Sequence, residues 1–256
     1  MKKVWVLVTL IVCGAAIIFG NIHWNQKISA QGEQTAVKVE SVEKAEETQT
    51  PSKVLAYTAN LPENVQAKIK KAIDSKEPVK LVIYGTSEVE GTWIDSFKKE
   101  LTAAYGEDVF EVMAISTGNN STRELVNEKM YEEINKLSPD ILLFEAPMLK
   151  DNGNVGITNT LTNLEEMFES WQEANEGLVL MIQPSQPLYN ATYYPSEVSQ
   201  LEDFAVKNKF IYLNHWENWP ELDNAEMKNY LNKDSEVNEK GFGVWADYLI
   251  GYFVAE

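Results

Sequence analysis

The most informative stretch of the sequence is Val79-Lys80-Leu81-Val82-Ile83-Tyr84-Gly85-Thr86-Ser87. Its short aliphatic and β-branched run is typical of a buried strand in a parallel sheet. The glycine permits a sharp turn directly after the strand, so the hydroxyl of Ser87 is presented at the strand's carboxyl end. Open α/β sheets place their ligands and their chemistry at this edge.

The rest of the chain alternates between strand-like and helical patterns. Strand-like runs fall at 79–84, 109–115, 141–145, 178–182 and 210–213. Helical spacing follows at 93–105, 121–137, 160–175, 196–208 and 240–254, and a lead-in helix is predicted over 62–74. This alternation predicts an α/β fold, a three-layer α/β/α sandwich around a five-stranded parallel sheet of flavodoxin-like order 2-1-3-4-5. Residues 214–238 are predicted to be irregular, with one short helix at about 225–231.

The first 52 residues have a different character. Lys2 and Lys3 precede an apolar run over residues 4–20, a pattern typical of export. Residues 1–30 are therefore a signal peptide or an N-terminal membrane anchor, and the length of the run leaves both open. Residues 31–52 are polar and rich in Glu and Gln, which predicts a disordered acidic stalk. The folded domain is then expected over residues 53–256, at the extracellular face of the membrane or secreted.

Charge and composition limit the partners. The net charge is −17, and it belongs to residues 51–256 because the charges of the first 50 residues cancel. Such a surface repels nucleic acid and anionic headgroups, so we expect no nucleic-acid partner, and only the N-terminal segment is expected to contact the membrane. Cys13 is the one cysteine, so no disulfide framework is possible. We expect a monomer without a cofactor. No metal is expected either, since the Asp/Asn-rich run 150–154 lacks the spacing of a calcium-binding loop.

Four segments share the edge at which Ser87 lies. They are Gly85–Ser87, Ser116–Thr122, Glu145–Gly153 and Asp234–Gly241. In this order and spacing they resemble the SGNH (GDSL-like) hydrolase family, and the resemblance covers about residues 78–254. It implies that Ser87 is the nucleophile, activated by a neighbouring base. It also implies that the backbone N–H groups of Ser87 and Gly118, with a side-chain amide, bind the oxyanion.

Two departures from the family pattern concern the loops that hold the substrate. Thr86 stands where the family usually has Asp, a residue that supports the loop without reacting. Lys150 stands where the oxyanion-binding Asn is expected, and Asn152 lies two residues further on. The amide of Asn152 and the ammonium group of Lys150 both remain candidates for the oxyanion-binding side chain.

The third departure concerns the catalytic base. Alignment of the last motif places Glu236 where the family has histidine, with Asp234 close to the place of the family's acid. A solvated glutamate has a pKa of about 4.3 and is a weak partner for a serine hydroxyl. His215 follows the fifth predicted strand and so also lies on the functional edge. Glu236 and His215 are therefore both candidate bases.

These features predict an extracytoplasmic serine esterase or deacylase, slow because of its unusual base, that acts on an acylated cell-envelope carbohydrate or a small ester. Acyl transfer is a further possibility for the same site. The alternative is a non-catalytic SGNH-fold protein that binds cell-wall glycan. Aromatic side chains suited to sugar rings or acyl chains are expected to flank the edge: Tyr189, Tyr193, Tyr194, Trp216 and Trp219.

Overall fold

The computed structural model of this protein describes residues 51–256. The predicted leader (1–30) and most of the predicted stalk lie outside the described residues. The last two residues assigned to the stalk, at positions 51 and 52, lie instead in helix α1, Pro51–Ala56. Among residues 51–256, no helix is both long enough and apolar enough to cross a membrane.

The sheet has the predicted topology. Its five strands are all parallel and lie in the order β2-β1-β3-β4-β5, which confirms the three-layer prediction. Their bounds are β1 Val79–Gly85, β2 Phe110–Ser116, β3 Ile141–Ala146, β4 Val179–Pro184 and β5 Ile211–Tyr212. The order changes direction at β1, whose neighbours are β2 and β3. Ser87 therefore follows the strand at the topological switch point, where α/β sheets place their ligands.

The helices follow the predicted alternation, with two additional short helices at 51–56 and 148–151 and one predicted helix that is split. After α1 they are α2 Glu63–Ser75, α3 Trp93–Tyr105, α4 Thr122–Asn127, α5 Glu132–Leu137, α6 Met148–Asp151, α7 Ile157–Ala174, α8 Tyr194–Lys207 and α9 Glu239–Phe253. The single helix predicted over 121–137 is split into α4 and α5. Lys129 lies between them with φ of +53°, a left-handed conformation that ends a helix.

The core consists of two apolar layers, one on each face of the sheet. Successive residues of β1 alternate between these layers because side chains along a strand point to opposite faces. Leu81 and Ile83 pack in the layer that includes α2, α3 and α9, whereas Val82 and Tyr84 pack in the layer that includes α7 and α8. With both faces covered, β1 is nearly continuously buried, as the apolar run predicted.

The region after β5 is irregular, as predicted. It contains two 3₁₀ turns, His215–Asn218 and Ala225–Asn229, and an isolated antiparallel bridge between Leu231 and Val237. Gly241 in the first turn of α9 fixes this region against the helix. A Cβ atom there would lie 2.5 Å from the Tyr230 carbonyl oxygen and 2.9 Å from the Trp219 ring. Residues 232–238 are thereby held beside the start of α9.

Candidate active site

Ser87 lies in the turn between β1 and α3, and its hydroxyl oxygen accepts a hydrogen bond from the first residue of α3. The indole nitrogen of Trp93, the first residue of α3, donates a hydrogen bond to Ser87 Oγ at 2.9 Å. Trp93 is fully buried and stacks on Trp245 of α9, with the ring centroids 5.2 Å apart. The serine oxygen therefore accepts a hydrogen bond from a rigid donor, and the Ser87 side chain also bonds to the buried Glu145 carboxylate.

Glu145, near the end of β3, is a second component of the serine turn. Its side chain is buried, and it accepts a hydrogen bond from the Ser87 N–H at 3.0 Å and another from the Thr86 hydroxyl. Burial raises the pKa of Glu145, and hydrogen bonds from Thr86 and Ser87 and the charge of Lys150 oppose that rise. Sequence reasoning assigned Glu145 no role. The available signal was a carboxylate inside an otherwise apolar strand, a residue type that is rarely buried without partners.

Ser87, Lys150 and Glu236 line one pocket of about 290 Å³. The structure thus brings together the predicted nucleophile, one candidate base and one candidate oxyanion partner. The same pocket has an apolar part, which is formed by Leu149, Val237, Phe242 and Trp245. The other predicted site residues, Asp234, Gly118, Asn152 and His215, do not line this pocket.

Glu236 lies in an exposed turn whose residues are hydrogen-bonded to one another. The side-chain oxygen of Asn232 accepts hydrogen bonds from the backbone N–H groups of Asp234, at 2.8 Å, and of Glu236, at 3.0 Å. The amide of Asn232 also donates to Glu236 Oε2 at 2.9 Å. Ser235, which lies between Asp234 and Glu236, adopts a left-handed conformation with φ of +63°. Asp234 and Glu236 are both exposed, and the only side-chain partner recorded for the Glu236 carboxylate within the described chain is Asn232.

His215 is the one histidine of residues 51–256, and it is fully buried. Its Nε2–H donates to the Pro184 carbonyl oxygen at 3.0 Å, and its Nδ1 accepts from the Trp219 indole N–H at 3.2 Å. The ring lies flat on Trp245, with centroids 4.0 Å apart. Burial lowers the pKa of His215 to about 3, although the hydrogen bond to Pro184 opposes this. Both ring nitrogens are thus occupied inside the protein.

The predicted oxyanion donors are largely bonded within the protein as well. Gly118 has φ of +58°, and its N–H donates to the Ser116 hydroxyl oxygen at 3.1 Å. Lys150 Nζ donates to Asn119 Oδ1 at 2.7 Å, which joins the loops after β2 and β3. An ammonium group carries three donors, so Lys150 retains hydrogens for a ligand in the pocket.

Asn152 and Asp151 form hydrogen bonds that stabilise the loop after β3. The backbone N–H of Asn152 closes α6 by donating to the Met148 carbonyl oxygen at 2.9 Å. Asp151 is buried and accepts from the Thr122 N–H at 2.8 Å and the Thr160 hydroxyl at 2.6 Å. Asp151 thus ties the starts of α4 and α7 together below the loop that carries Lys150.

No family model matches this sequence, and neither does any curated protein. Similar solved structures exist. A GDSL-family lipolytic protein from Desulfitobacterium hafniense aligns at a TM-score of 0.55 with 12% identity, over 68% of this chain and 99% of its own. A carbohydrate esterase family 3 protein from Talaromyces cellulolyticus aligns at a TM-score of 0.56 with 13% identity, over 67% of this chain and 94% of its own. A mutant acetylxylan esterase from Geobacillus stearothermophilus aligns at a TM-score of 0.52 with 12% identity, over 68% of this chain and 94% of its own. The described domain has the SGNH (GDSL-like) hydrolase fold.

The predicted aromatic flank of the domain is arranged differently from the expectation. Tyr194 is buried, whereas Tyr193 is 80% exposed. Trp216 and Trp219 line a second pocket, of about 340 Å³, whose lining also includes three glutamates: Glu202, Glu217 and Glu221. None of the five predicted aromatics lines the Ser87 pocket. Among residues 51–256, no group of three or more His, Cys, Asp or Glu side chains is placed to hold a metal ion.

Proposed function

We propose that this protein is a slow serine esterase or deacylase of the SGNH type that removes a short acyl group from a cell-envelope carbohydrate or a small ester. The observation that carries the proposal is the shared pocket. The Ser87 hydroxyl, a carboxylate and an ammonium group line the same cavity at the carboxyl edge of the sheet. These are the three chemical roles that acyl transfer to serine needs: nucleophile, base and oxyanion partner.

In the proposed reaction Ser87 Oγ attacks the ester carbonyl carbon while its proton passes to the Glu236 carboxylate. The ammonium group of Lys150 balances the negative charge on the carbonyl oxygen of the tetrahedral intermediate. Collapse of the intermediate expels the alcohol, which takes the proton from Glu236 and leaves an acyl group on Ser87. Water then attacks this acyl-enzyme with the same carboxylate as base, which releases the acid and restores Ser87.

The hydrogen bonds of the site support a slow rate. The Ser87 N–H donates to Glu145 and the Gly118 N–H donates to Ser116, so neither donor is free for an oxyanion. One lost oxyanion donor typically costs about 3–4 kcal/mol of transition-state stabilisation. The base is an exposed carboxylate, and a well-matched general base typically contributes roughly 10²–10⁴-fold. Lys150 offsets part of this deficit.

The pocket supports a small acyl group. A volume of about 290 Å³ lies at the low end of ligand pockets. Its apolar part, which includes Phe242 and Trp245, suits an acetyl or other short chain. Two of the similar solved structures are described as carbohydrate esterases, which favours an acylated carbohydrate as the substrate class. Export is proposed from the N-terminal sequence alone: two lysines followed by an apolar run.

The experiment is covalent labelling of the purified protein with a fluorophosphonate, followed by identification of the modified residue. Label on Ser87 that is lost in Ser87→Ala supports the proposal. Ser199→Ala is the matched control, since this exposed serine lines the other pocket and should not affect labelling. Unmodified Ser87, with no p-nitrophenyl acetate hydrolysis above that of Ser87→Ala, would contradict it.

The alternative is a non-catalytic protein that binds cell-wall glycan. Two observations favour it: the histidine is sealed in the core, and both backbone oxyanion donors are bonded internally. The two functions differ in one result. A binding protein retains glycan affinity in Ser87→Ala and takes no label, whereas an esterase takes label on Ser87.

A further inference from the structure

We propose that Glu145 is a positioning residue for Ser87, and that it supplies, from the neighbouring strand, a buried carboxylate that holds the Thr86–Ser87 part of the serine turn. This inference rests on the proposed function for its kinetic consequences, while its structural part stands independently. Three features carry it: the two hydrogen bonds that Glu145 accepts, the close approach of Gly85, and the hydroxyl at position 86.

The hydrogen bonds divide the two carboxylate oxygens between consecutive residues of the turn. Oε1 accepts from the Thr86 hydroxyl, and Oε2 accepts from the Ser87 N–H at 3.0 Å. Two donors from adjacent residues on one rigid carboxylate fix the direction in which the turn leaves β1. Trp93 also donates a hydrogen bond to Ser87 Oγ, so a second contact fixes the position of the serine oxygen.

Gly85 is matched to this carboxylate. It follows Tyr84, which pairs with Phe144 in the parallel ladder, so Gly85 lies beside Glu145. A Cβ atom at position 85 would lie 2.4 Å from Glu145 Cβ and 2.9 Å from Glu145 Oε2. Absence of a side chain at position 85 therefore allows the carboxylate to reach under the turn.

Thr86 completes the unit because it is a neutral donor. A carboxylate at position 86 would lie against the Glu145 carboxylate, where Thr86 Oγ1 now donates a hydrogen bond. Two carboxylates in contact cannot both ionise without a large energetic cost. The threonine, which departs from the family pattern, and the buried glutamate on β3 are thus complementary, and one carboxylate serves the Thr86–Ser87 part of the turn.

The charges that face Glu145 are limited. Lys150, on the loop after β3, favours the ionised form, and Tyr194, at the start of α8, is a neutral neighbour whose own pKa is raised mainly by burial and further by the charge of Glu145. Glu145 itself has an elevated pKa because it is buried. Addition of a second carboxylate at position 86 would make the pair share a proton, and the repulsion between the two carboxylates would grow as the pH rises.

The test adds a carboxylate at position 86 of the full-length chain and then removes the one at position 145. Thr86→Asp should lower kcat for p-nitrophenyl acetate at least about tenfold at pH 8 with KM changed less than about twofold, and the loss should shrink at pH 6. The double variant Thr86→Asp/Glu145→Gln should recover kcat to within about threefold of the wild type. Thr86→Ser keeps the hydroxyl donor and should lose much less kcat than Thr86→Asp.

A second readout does not depend on activity. The indole N–H signal of Trp93 in the NMR spectrum, assigned from Trp93→Phe, reports the hydrogen bond to Ser87 Oγ. It should move in Thr86→Asp, return in the double variant, and move less in the milder Thr86→Val. If the wild type has no esterase activity, the proposed function fails, and this signal still decides the role of Glu145.

Two results would overturn the inference. In the first, the double variant recovers neither kcat nor the Trp93 signal, which would show that positions 86 and 145 are not coupled. In the second, Glu145→Gln abolishes kcat while the Trp93 signal stays at its wild-type position. Glu145 would then take part in proton transfer itself instead of positioning Ser87.

Discussion

The two regions that carry the candidate bases differ in how their titratable groups are held. His215 lies in a buried stack with Trp245, and both of its nitrogens are bonded to the protein. Glu236 lies in the exposed 232–238 turn, where Asn232 is its recorded side-chain partner, and it faces the Ser87 pocket. The imidazole, the residue type usually found as the base, is buried in the core, while the carboxylate lies at the surface of the pocket. Residue type thus favours His215 as the base, whereas position in the fold favours Glu236.

The largest expected effect is on stability, at His215. His215→Ala removes a stacked ring and leaves the Trp219 indole N–H and the Pro184 carbonyl without partners, so we expect a loss of about 3–5 kcal/mol in the free energy of unfolding. His215→Gln, whose amide offers one donor and one acceptor, should lose less. Labelling of Ser87 per folded molecule should be unchanged in His215→Gln. A selective loss of labelling in that variant would return His215 to the role of base.

The same burial predicts a specific dependence of stability on pH. The pKa of His215 is about 3 in the folded protein, against about 6.5 for an unfolded histidine. The unfolded state therefore binds more protons between pH 3 and 6.5, and stability falls as the pH decreases through that range, by roughly 3–5 kcal/mol from this residue. Urea unfolding of the wild type and His215→Gln at pH 4 and pH 7 measures the difference. Equal pH dependence in the two proteins would contradict the buried neutral state.

A smaller effect is expected where the exposed turn meets α9. Gly241→Ala places a Cβ atom 2.5 Å from the Tyr230 carbonyl oxygen, so we expect a loss of about 1–3 kcal/mol in stability and weaker labelling of Ser87. Gly243 lies in the same helix with nothing within 4 Å of an added Cβ atom. Gly243→Ala is the matched control and should stabilise by about 0.5–1 kcal/mol. Equal effects of the two variants would show that Gly241 does not anchor the turn.

The smallest of these effects concerns the oxyanion. Lys150→Met removes the ammonium group from the pocket and should lower kcat/KM for p-nitrophenyl acetate about tenfold. This is less than the loss typical of a dedicated oxyanion donor, because the ammonium group is shared with Asn119. Lys150→Arg retains the charge and should retain most of the activity. Asn152→Ala, outside the pocket, should be silent. If Asn152→Ala is the more damaging substitution, the oxyanion partner is the amide of Asn152.

The fold could be predicted from the sequence because the strands are short apolar runs between amphipathic helices, and this pattern depends on local periodicity. The break between α4 and α5 could not, since it depends on the left-handed Lys129, a residue with no special preference for that conformation. Ser87 followed from its place after β1. Glu145, Trp93 and the burial of His215 depend on contacts between distant segments. Sequence spacing does not report such contacts, and a histidine on the functional edge looks the same whether it faces the pocket or the core.

The pH dependence of Ser87 acylation distinguishes Glu236 from His215 as the base when it is measured in the wild type, Glu236→Gln, Glu236→His and His215→Gln. An imidazole base gives a step near pH 6.5. With its imidazole buried, the wild type should show no such step between pH 6 and 8. The rate should fall at least about tenfold in Glu236→Gln, and Glu236→His should be faster with a new step. A step near pH 6.5 in the wild type that disappears in His215→Gln, with Glu236→Gln unchanged, would contradict the assignment of Glu236 as the base.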